Sequence, residues 1–160
     1  MKITEDELRA AGFSRAGSVM SDPLKTIRVQ IDWDAPGFVV YMMIVNDEVK
    51  KVGTTGRKDS SFKKRMFSTF YALRQVITGP VAGRPPARWR SRPLDPFKAH
   101  APTVILSGQV VELWASECAT FEFMIAKETE LNNMYTPEWT KEGRATTRRG
   151  QAKPLVACTD

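Results

Sequence analysis

Glu128 is a carboxylate at a position where the pattern of its segment calls for an apolar side chain. A helix is predicted from about Glu117 to Tyr135, ended by Pro137. At about 100° per residue, Glu128 falls in the middle of an apolar stripe formed by Phe121, Met124, Ile125, Leu131 and Tyr135. Burying a lone carboxylate is costly unless it is paired or binds a metal ion. The pattern leaves three interpretations open: a buried salt bridge, a carboxylate at the edge of a shifted stripe, or a metal ligand in a cleft.

Tyr41 and Lys51 are a second pair of residues that could do chemistry. Tyr41 lies in the apolar run Phe38–Val45, and Lys51 lies on a strand that returns after a turn at residues 46–48. Across a tight hairpin, the two positions come close to facing each other. A lysine beside a phenol favours the ionised phenolate, which is a candidate general base. Tyr is also a common strand residue and Lys a common edge residue, so the pair alone leaves both interpretations open.

The charge of the chain is concentrated in two segments. Its 24 Lys and Arg residues against 18 Asp and Glu residues give a net charge of +6. Residues 57–98 hold 11 Lys and Arg residues and two Asp, a net +9, whereas residues 112–130 hold five Glu and one Lys, a net −4. A concentrated basic stretch is typical of a surface that binds a polyanion, most often nucleic acid, although a solvated surface has the same composition.

The basic residues of this stretch fall into two groups that could contact phosphates. Lys63 and Lys64 lie at the start of a predicted helix, and the others lie in a Pro-rich and Arg-rich segment, residues 79–97, that is long for a connection inside a compact domain. The candidate nucleic-acid contacts are Lys63, Lys64, Arg84, Arg88, Arg90 and Arg92. A flexible, solvated loop is the alternative interpretation of residues 79–97.

The remaining pattern predicts the elements that must position these residues. A capping box at Thr4–Glu7 opens a short helix, and a strand is possible at residues 26–31. After the hairpin, Ser60 or Ser61 caps a helix with four apolar residues on one face: Phe62, Met66, Phe70 and Leu73. Strands are predicted at residues 103–106 and 109–115, around Ser107 and Gly108.

This order of elements predicts an α/β fold with a small central, mainly antiparallel β-sheet flanked by helices. We expect an N-terminal helix and extension in residues 1–35, a core domain in residues 36–140 that contains the loop 79–97, and a basic tail in residues 141–160.

Four motifs in this order resemble those of the GIY-YIG nuclease family. They are Pro36-Gly37-Phe38-Val39-Val40-Tyr41, then Lys51-Val52-Gly53, then the helix that carries Arg65, and last Glu128 nine residues before Pro137. The Lys-Val-Gly form of the second motif resembles the variant of some restriction endonucleases of the family. Trp139-Thr140 stand where an Asn often follows the Pro. The loop before Arg65 is longer than usual, so Lys64 and Arg57 are alternatives for the arginine's role, and aligning Val39 with the family tyrosine would remove the general base.

The resemblance implies a metal-dependent DNA endonuclease with a GIY-YIG-like fold. It assigns the general base to Tyr41 with the help of Lys51, the stabilisation of the phosphate to Arg65, and the binding of Mg²⁺ or Mn²⁺ to Glu128. It implies duplex or branched DNA as the substrate, and one carboxylate favours a one-metal route. Cleavage of both strands of a duplex would need two active sites, which favours a homodimer.

Composition excludes several other classes of protein. A chain of 160 residues that is 42% hydrophobic and 26% charged is typical of a globular domain rather than a disordered or fibrous protein. The longest apolar run, Phe38–Val45, is far shorter than the roughly 20 residues of a membrane span, so we expect no membrane partner. The acidic first residues do not resemble a signal peptide, and we expect a cytoplasmic protein. Two cysteines, Cys118 and Cys158, and the single histidine, His100, cannot build a zinc cage of Cys and His ligands.

The sequence therefore leaves three functions open. The first is the endonuclease, the second is a catalytically inactive nucleic-acid-binding module with the same fold, and the third is a basic interaction domain.

Overall fold

One antiparallel sheet with helices on both faces forms the fold. The computed structural model describes residues 2–55, 61–77 and 95–140 of the chain. The elements in these ranges are, in chain order, α1 (Glu5–Ala10), β1 (Ser14–Ser21), β2 (Ile27–Ile31), β3 (Phe38–Val45), β4 (Glu48–Thr55), α2 (Phe62–Ile77), α3 (Pro96–Leu106), β5 (Val111–Cys118) and α4 (Phe121–Tyr135). The sheet order is β2-β1-β5-β3-β4, and all neighbouring strands are antiparallel. The predicted α/β class with a small antiparallel sheet is confirmed.

Strand β3 is the buried strand beside the sheet edge. Every residue of β3 after Phe38 is buried, because β4 and β5 flank the strand and helices cover both of its faces. Asn46 and Asp47 connect β3 to β4, with φ values of 49° and 65°. Two consecutive left-handed residues are the geometry of a tight two-residue hairpin turn, which Asn and Asp tolerate better than most residues. The hairpin predicted around Asn46 is therefore confirmed, with β4 longer than expected.

Each face of the sheet has its own hydrophobic core. Helices α2 and α3 cover the first face, and the four residues predicted to face inward from α2 are all buried there: Phe62, Met66, Phe70 and Leu73. Helices α1 and α4 cover the second face, where Leu8, Met124 and Leu131 pack on β3 and β5. Because side chains alternate along a strand, Tyr41 and Met43 point to the first face while Val40 and Met42 point to the second. None of the described helices has the length and apolarity needed to span a bilayer.

Two predicted elements are wrong in type or position, and one strand was not predicted. Residues 103–106 were expected to form a strand but are the last turn of α3, which Asp95 caps by accepting a hydrogen bond from the Lys98 N–H. Glu117 was expected to begin the last helix but lies in β5, and α4 begins at Phe121 after the cap residue Thr120. Strand β1 was not predicted, although it pairs with both β2 and β5. The β-branched residues of α3 indicated a strand locally, and tertiary packing decided the outcome.

The segment after α4 crosses the free edge of β4. The Trp139 N–H donates to the Lys50 carbonyl at 2.9 Å, and the Lys50 ammonium contacts Glu138 at 2.7 Å and Glu48 at 2.9 Å. Burial works to lower the pKa of Lys50, but the hydrogen bonds to Glu138 and Glu48 outweigh it and raise the pKa. The Trp139 ring is buried in the core under α2 and α3, against Phe97. The chain thus passes from the second face of the sheet to the first around β4.

Replacing Trp139 by alanine tests whether this crossing is part of the core. We expect Trp139→Ala to lower the free energy of unfolding by about 3–5 kcal/mol, because it removes a fully buried ring and leaves a cavity. Urea denaturation followed by circular dichroism measures the change. Met134→Ala is the control, since Met134 is 48% exposed on α4, and a change within about 0.5 kcal/mol is expected there. Equal midpoints for the two variants would show that the Trp139 ring is not a core residue.

Candidate active site

A bulge in β4 sets which of its residues share a face with Tyr41. The hairpin register pairs Ile44 with Val49 but Met43 with Lys51, so Lys50 is an extra residue on β4. Without this extra residue, Met43 would face Lys50 and Tyr41 would face Val52. A one-residue shift moves side chains to the opposite face of a sheet. The bulge therefore brings Lys51 and Gly53 to the face on which Tyr41 lies.

Gly53 makes room for the Tyr41 ring. Tyr41 and Gly53 are direct partners across the hairpin, and a Cβ built on Gly53 would lie 2.5 Å from both Cζ and Oη of Tyr41. No side chain tolerates that distance, so the ring lies directly over the glycine. Phe62 supports the ring from α2, with centroids 6.2 Å apart. Glycine here allows a bulky phenol to extend across the edge strand.

Lys51 lies diagonally from Tyr41. The prediction that these residues nearly face each other is wrong in register, because Lys51 pairs with Met43 and lies two residues from Gly53. The side chain is nevertheless on the same face as Tyr41 and is only 9% exposed. Its ammonium lies 5.5 Å from the centroid of the Phe97 ring, a cation–π distance. The lysine thus places a positive charge inside the first-face core, beside the tyrosine.

Arg65 belongs to the first turn of α2, whose start is tied to the segment before β3. The Phe62 N–H donates to the Ala35 carbonyl at 3.1 Å, and the Lys63 N–H donates to a carboxylate oxygen of Asp34 at 2.9 Å. Buried Phe62 and Met66 fix the rotation of the helix. Arg65 is consequently exposed at the side of α2 that borders β4.

Lys127 fixes the helix that carries Glu128. Its ammonium donates to the Ser116 hydroxyl and to the Ala11 carbonyl, both at 2.9 Å, and lies 4.6 Å from the centroid of the Phe13 ring. Burial lowers the pKa of Lys127. These contacts hold α4 to β5 and to the end of α1. Glu128 is the next residue, half-buried between the Met124 and Leu131 turns of α4 and directed toward β4.

These elements converge on one open pocket at the edge of β4. It is lined by Tyr41, Lys51, Val52, Gly53, Thr54, Arg65, Glu128 and Thr140. All four residues predicted as catalytic line it: the phenol of Tyr41, the cations of Lys51 and Arg65, and the carboxylate of Glu128. Among the described residues, no three His, Cys, Asp or Glu side chains cluster as a metal cage. The pocket thus contains one carboxylate, a hard oxygen donor, beside two cationic side chains.

Other predicted residues lie elsewhere. Lys63 and Lys64 are exposed on the same turn as Arg65 and do not line the pocket. Four predicted contacts, Arg84, Arg88, Arg90 and Arg92, together with the alternative residue Arg57, fall outside the described residues. Sequence reasoning missed Thr54 and Thr140 as pocket residues. The sequence marks Thr140 only as standing, together with Trp139, where an Asn often follows the Pro of the last motif, and its place in the pocket depends on the crossing of the β4 edge.

Comparison with known proteins gives a fold and no family. No protein-family model and no curated protein sequence matches the chain. Among solved structures, the chain resembles a point mutant of EndoII from bacteriophage T4, with a TM-score of 0.57 and 16% identity. The similarity covers 85% of this chain and 98% of that one. The chain therefore shares the α/β fold of that protein, and at this identity the likeness concerns the fold alone.

Adding a methyl group at Gly53 tests the packing of the Tyr41 ring. We expect Gly53→Ala to destabilise the protein by about 1–3 kcal/mol, because the new Cβ overlaps the ring. Gly37→Ala is the control: its Cβ would lie 3.6 Å from Glu117, an ordinary contact. In a Tyr41→Ala background, the same Gly53→Ala change should cost measurably less, since the overlapping ring is gone. Denaturant unfolding of the four variants measures this coupling, and additive effects would contradict the assigned ring position.

Proposed function

We propose that the protein is a metal-dependent endonuclease that hydrolyses phosphodiester bonds of DNA. The observation that carries the proposal is the convergence of Tyr41, Lys51, Arg65 and Glu128 on a single pocket from two strands and two helices. These are the residues to which the resemblance to the GIY-YIG family assigns the chemistry. The nuclease-like fold, shared with a phage endonuclease, supports the same assignment.

The donor set of the pocket fits Mg²⁺ or Mn²⁺. Glu128 supplies a hard carboxylate oxygen, and ions of this kind keep several water ligands and bind substrate phosphate rather than needing a cage of protein ligands. Such an ion supplies positive charge at the leaving oxygen. In this proposal Glu128 holds the ion, and its attachment to a helix fixed by Lys127 keeps the carboxylate in place.

The other pocket residues act on the water and the phosphate. The positive charge of Lys51 stabilises Tyr41 as the phenolate, which orients the attacking water, accepts its proton and becomes the neutral phenol. Arg65 binds the non-bridging oxygens of the scissile phosphate with its planar guanidinium and stabilises the charge that develops there. The open shape of the pocket at a sheet edge leaves space for a backbone phosphate to approach.

The basic residues of α2 support a polyanionic substrate. Lys63, Lys64 and Arg65 are exposed, and none of them forms an ion pair with a described carboxylate. The first turn of α2 contains no acidic residue. Three cations at the positive end of a helix dipole are unfavourable for the isolated helix and favour a bound anion. We therefore propose DNA phosphates as contacts of Lys63 and Lys64.

Cleavage of supercoiled plasmid in the presence of Mg²⁺ or Mn²⁺ tests the proposed activity. We expect Glu128→Gln to reduce the cleavage rate by about 100-fold or more, since loss of even an outer-sphere partner of a metal costs about 10–100-fold. Glu122→Gln is the matched control, an exposed glutamate in the first turn of the same helix. Chelation of the metal ion should stop plasmid cleavage by the wild-type protein.

Two results would contradict the proposal in different ways. Wild-type cleavage that persists in Glu128→Gln would remove Glu128 from the site. Binding of DNA without cleavage of duplex, flap or branched substrates would favour the inactive nucleic-acid-binding module instead.

The salt dependence of DNA binding tests the role of Lys63 and Lys64. Each phosphate contact contributes about 0.9 to the slope of log K against log salt. The double variant Lys63→Ala/Lys64→Ala should therefore lower the slope by about 2 without changing the fold. Lys2→Ala is the control, because Lys2 is an exposed lysine paired through its backbone with Glu48 at the opposite end of β4 from Gly53. Equal slopes for the wild type, the double variant and Lys2→Ala would exclude these phosphate contacts.

A further inference from the structure

The hydroxyl of Thr140 is buried, lines the pocket and has no hydrogen-bond partner among the described residues. Most buried polar side chains in native proteins have a partner, because a buried hydroxyl without one loses its hydrogen bonds to water. Four other described side chains have such an atom, namely Thr55, Trp114, Asn132 and Trp139, but none of them lines the pocket. Thr140 is thus distinguished by lying at the proposed site.

The backbone that carries Thr140 is held firmly. The Thr140 N–H donates to the Pro137 carbonyl at 3.1 Å, and the preceding Trp139 is bound to the bulge residue Lys50 and buried in the core. The ion pair between Lys50 and Glu138 adds a third attachment. A side chain on such a segment is positioned before any ligand arrives. Because its hydroxyl has no hydrogen-bond partner in the described part of the chain, we infer that the partner is a group that binds in the pocket.

The charges of the pocket indicate what that group is. Lys51 and Arg65 attract an anion, and the oxygens of a phosphodiester accept hydrogen bonds but do not donate them. A threonine hydroxyl can donate one. We propose that Thr140 is a substrate-binding residue whose hydroxyl donates a hydrogen bond to a phosphate oxygen of the bound DNA strand. This assignment rests on the proposed function and adds a second hydrogen-bond donor to the phosphate besides Arg65.

The assignment predicts opposite effects on binding and on stability. Valine has nearly the shape of threonine without the hydroxyl, so Thr140→Val removes the proposed contact with little change in packing. In the free protein it also removes a buried hydroxyl that has no partner among residues 2–55, 61–77 and 95–140, so the melting temperature should stay equal or rise. If the Thr140 hydroxyl instead had a hydrogen-bond partner in the free protein, Thr140→Val would lower the melting temperature.

Binding in a cleavage-deficient background measures the contact. In Glu128→Gln protein with Mg²⁺, fluorescence anisotropy with a labelled DNA duplex should show about tenfold weaker binding after Thr140→Val, the usual size for a hydrogen bond to a charged acceptor. Thr140→Ser keeps the hydroxyl and should bind within about threefold of its parent. Thr55→Val is the matched control, because it removes a buried hydroxyl that does not line the pocket.

Several results would overturn the assignment. Unchanged affinity in Thr140→Val, a lower melting temperature, or an equal loss of affinity in Thr55→Val would each exclude a specific phosphate contact. Weaker binding of Mn²⁺ to Thr140→Val in the wild-type background, without weaker binding of DNA, would assign the hydroxyl to the ion instead. The proposed function fails separately: wild-type protein that binds DNA without cleaving it leaves the binding test of Thr140 intact.

Discussion

The β-bulge at Lys50 is the constraint on which the proposed site depends. The extra residue turns Lys51 and Gly53 to the face of the sheet that carries Tyr41, and the glycine then accommodates the tyrosine ring. The Lys50 carbonyl also accepts a hydrogen bond from the Trp139 N–H, so the chain after α4 is attached to the edge of the sheet at the bulge. This bulge thus determines which side chains of β4 face the site, and it also anchors the segment that brings Thr140 to the pocket.

The edge position of β4 explains how residues from both faces of a sheet can meet. Tyr41 and Lys51 belong to the face covered by α2 and α3, whereas α4, which carries Glu128, packs on the other face. A sheet separates side chains on its two faces, so a pocket shared by them must lie at an edge. The crossing at Trp139 also protects part of the edge strand, whose free backbone groups would otherwise be open to pairing with another chain.

The sequence alone predicts which residues line the proposed site better than it predicts their arrangement. The conflict at Glu128 could be read from helical periodicity because Met124 and Leu131 are indeed buried around it, although Phe121 of the same stripe is 45% exposed. The spacing of three or four residues between the apolar side chains of α2 likewise predicts which side of this helix packs against the sheet. Local patterns of this kind carry information because burial repeats with the period of the element.

The features that could not be predicted all depend on contacts between distant parts of the chain. The bulge shifts the hairpin register by one residue, which no pattern in residues 46–52 specifies. Strand β1 is polar in sequence and becomes a strand by pairing with β2 and β5, and α3 contains β-branched residues and an internal proline, Pro102. Thr140 reaches the pocket only because Trp139 is inserted into the core of the first face, on the other side of the sheet from α4.

The position of a bound metal ion tests the central claim most directly. Crystals of the protein soaked in a Mn²⁺ salt would locate the ion by anomalous scattering without reference to activity. The account predicts a single peak in the pocket, at coordination distance from the Glu128 carboxylate and beside the hydroxyl of Tyr41. A peak held by other carboxylates, or a fully occupied site elsewhere with none at Glu128, would contradict it.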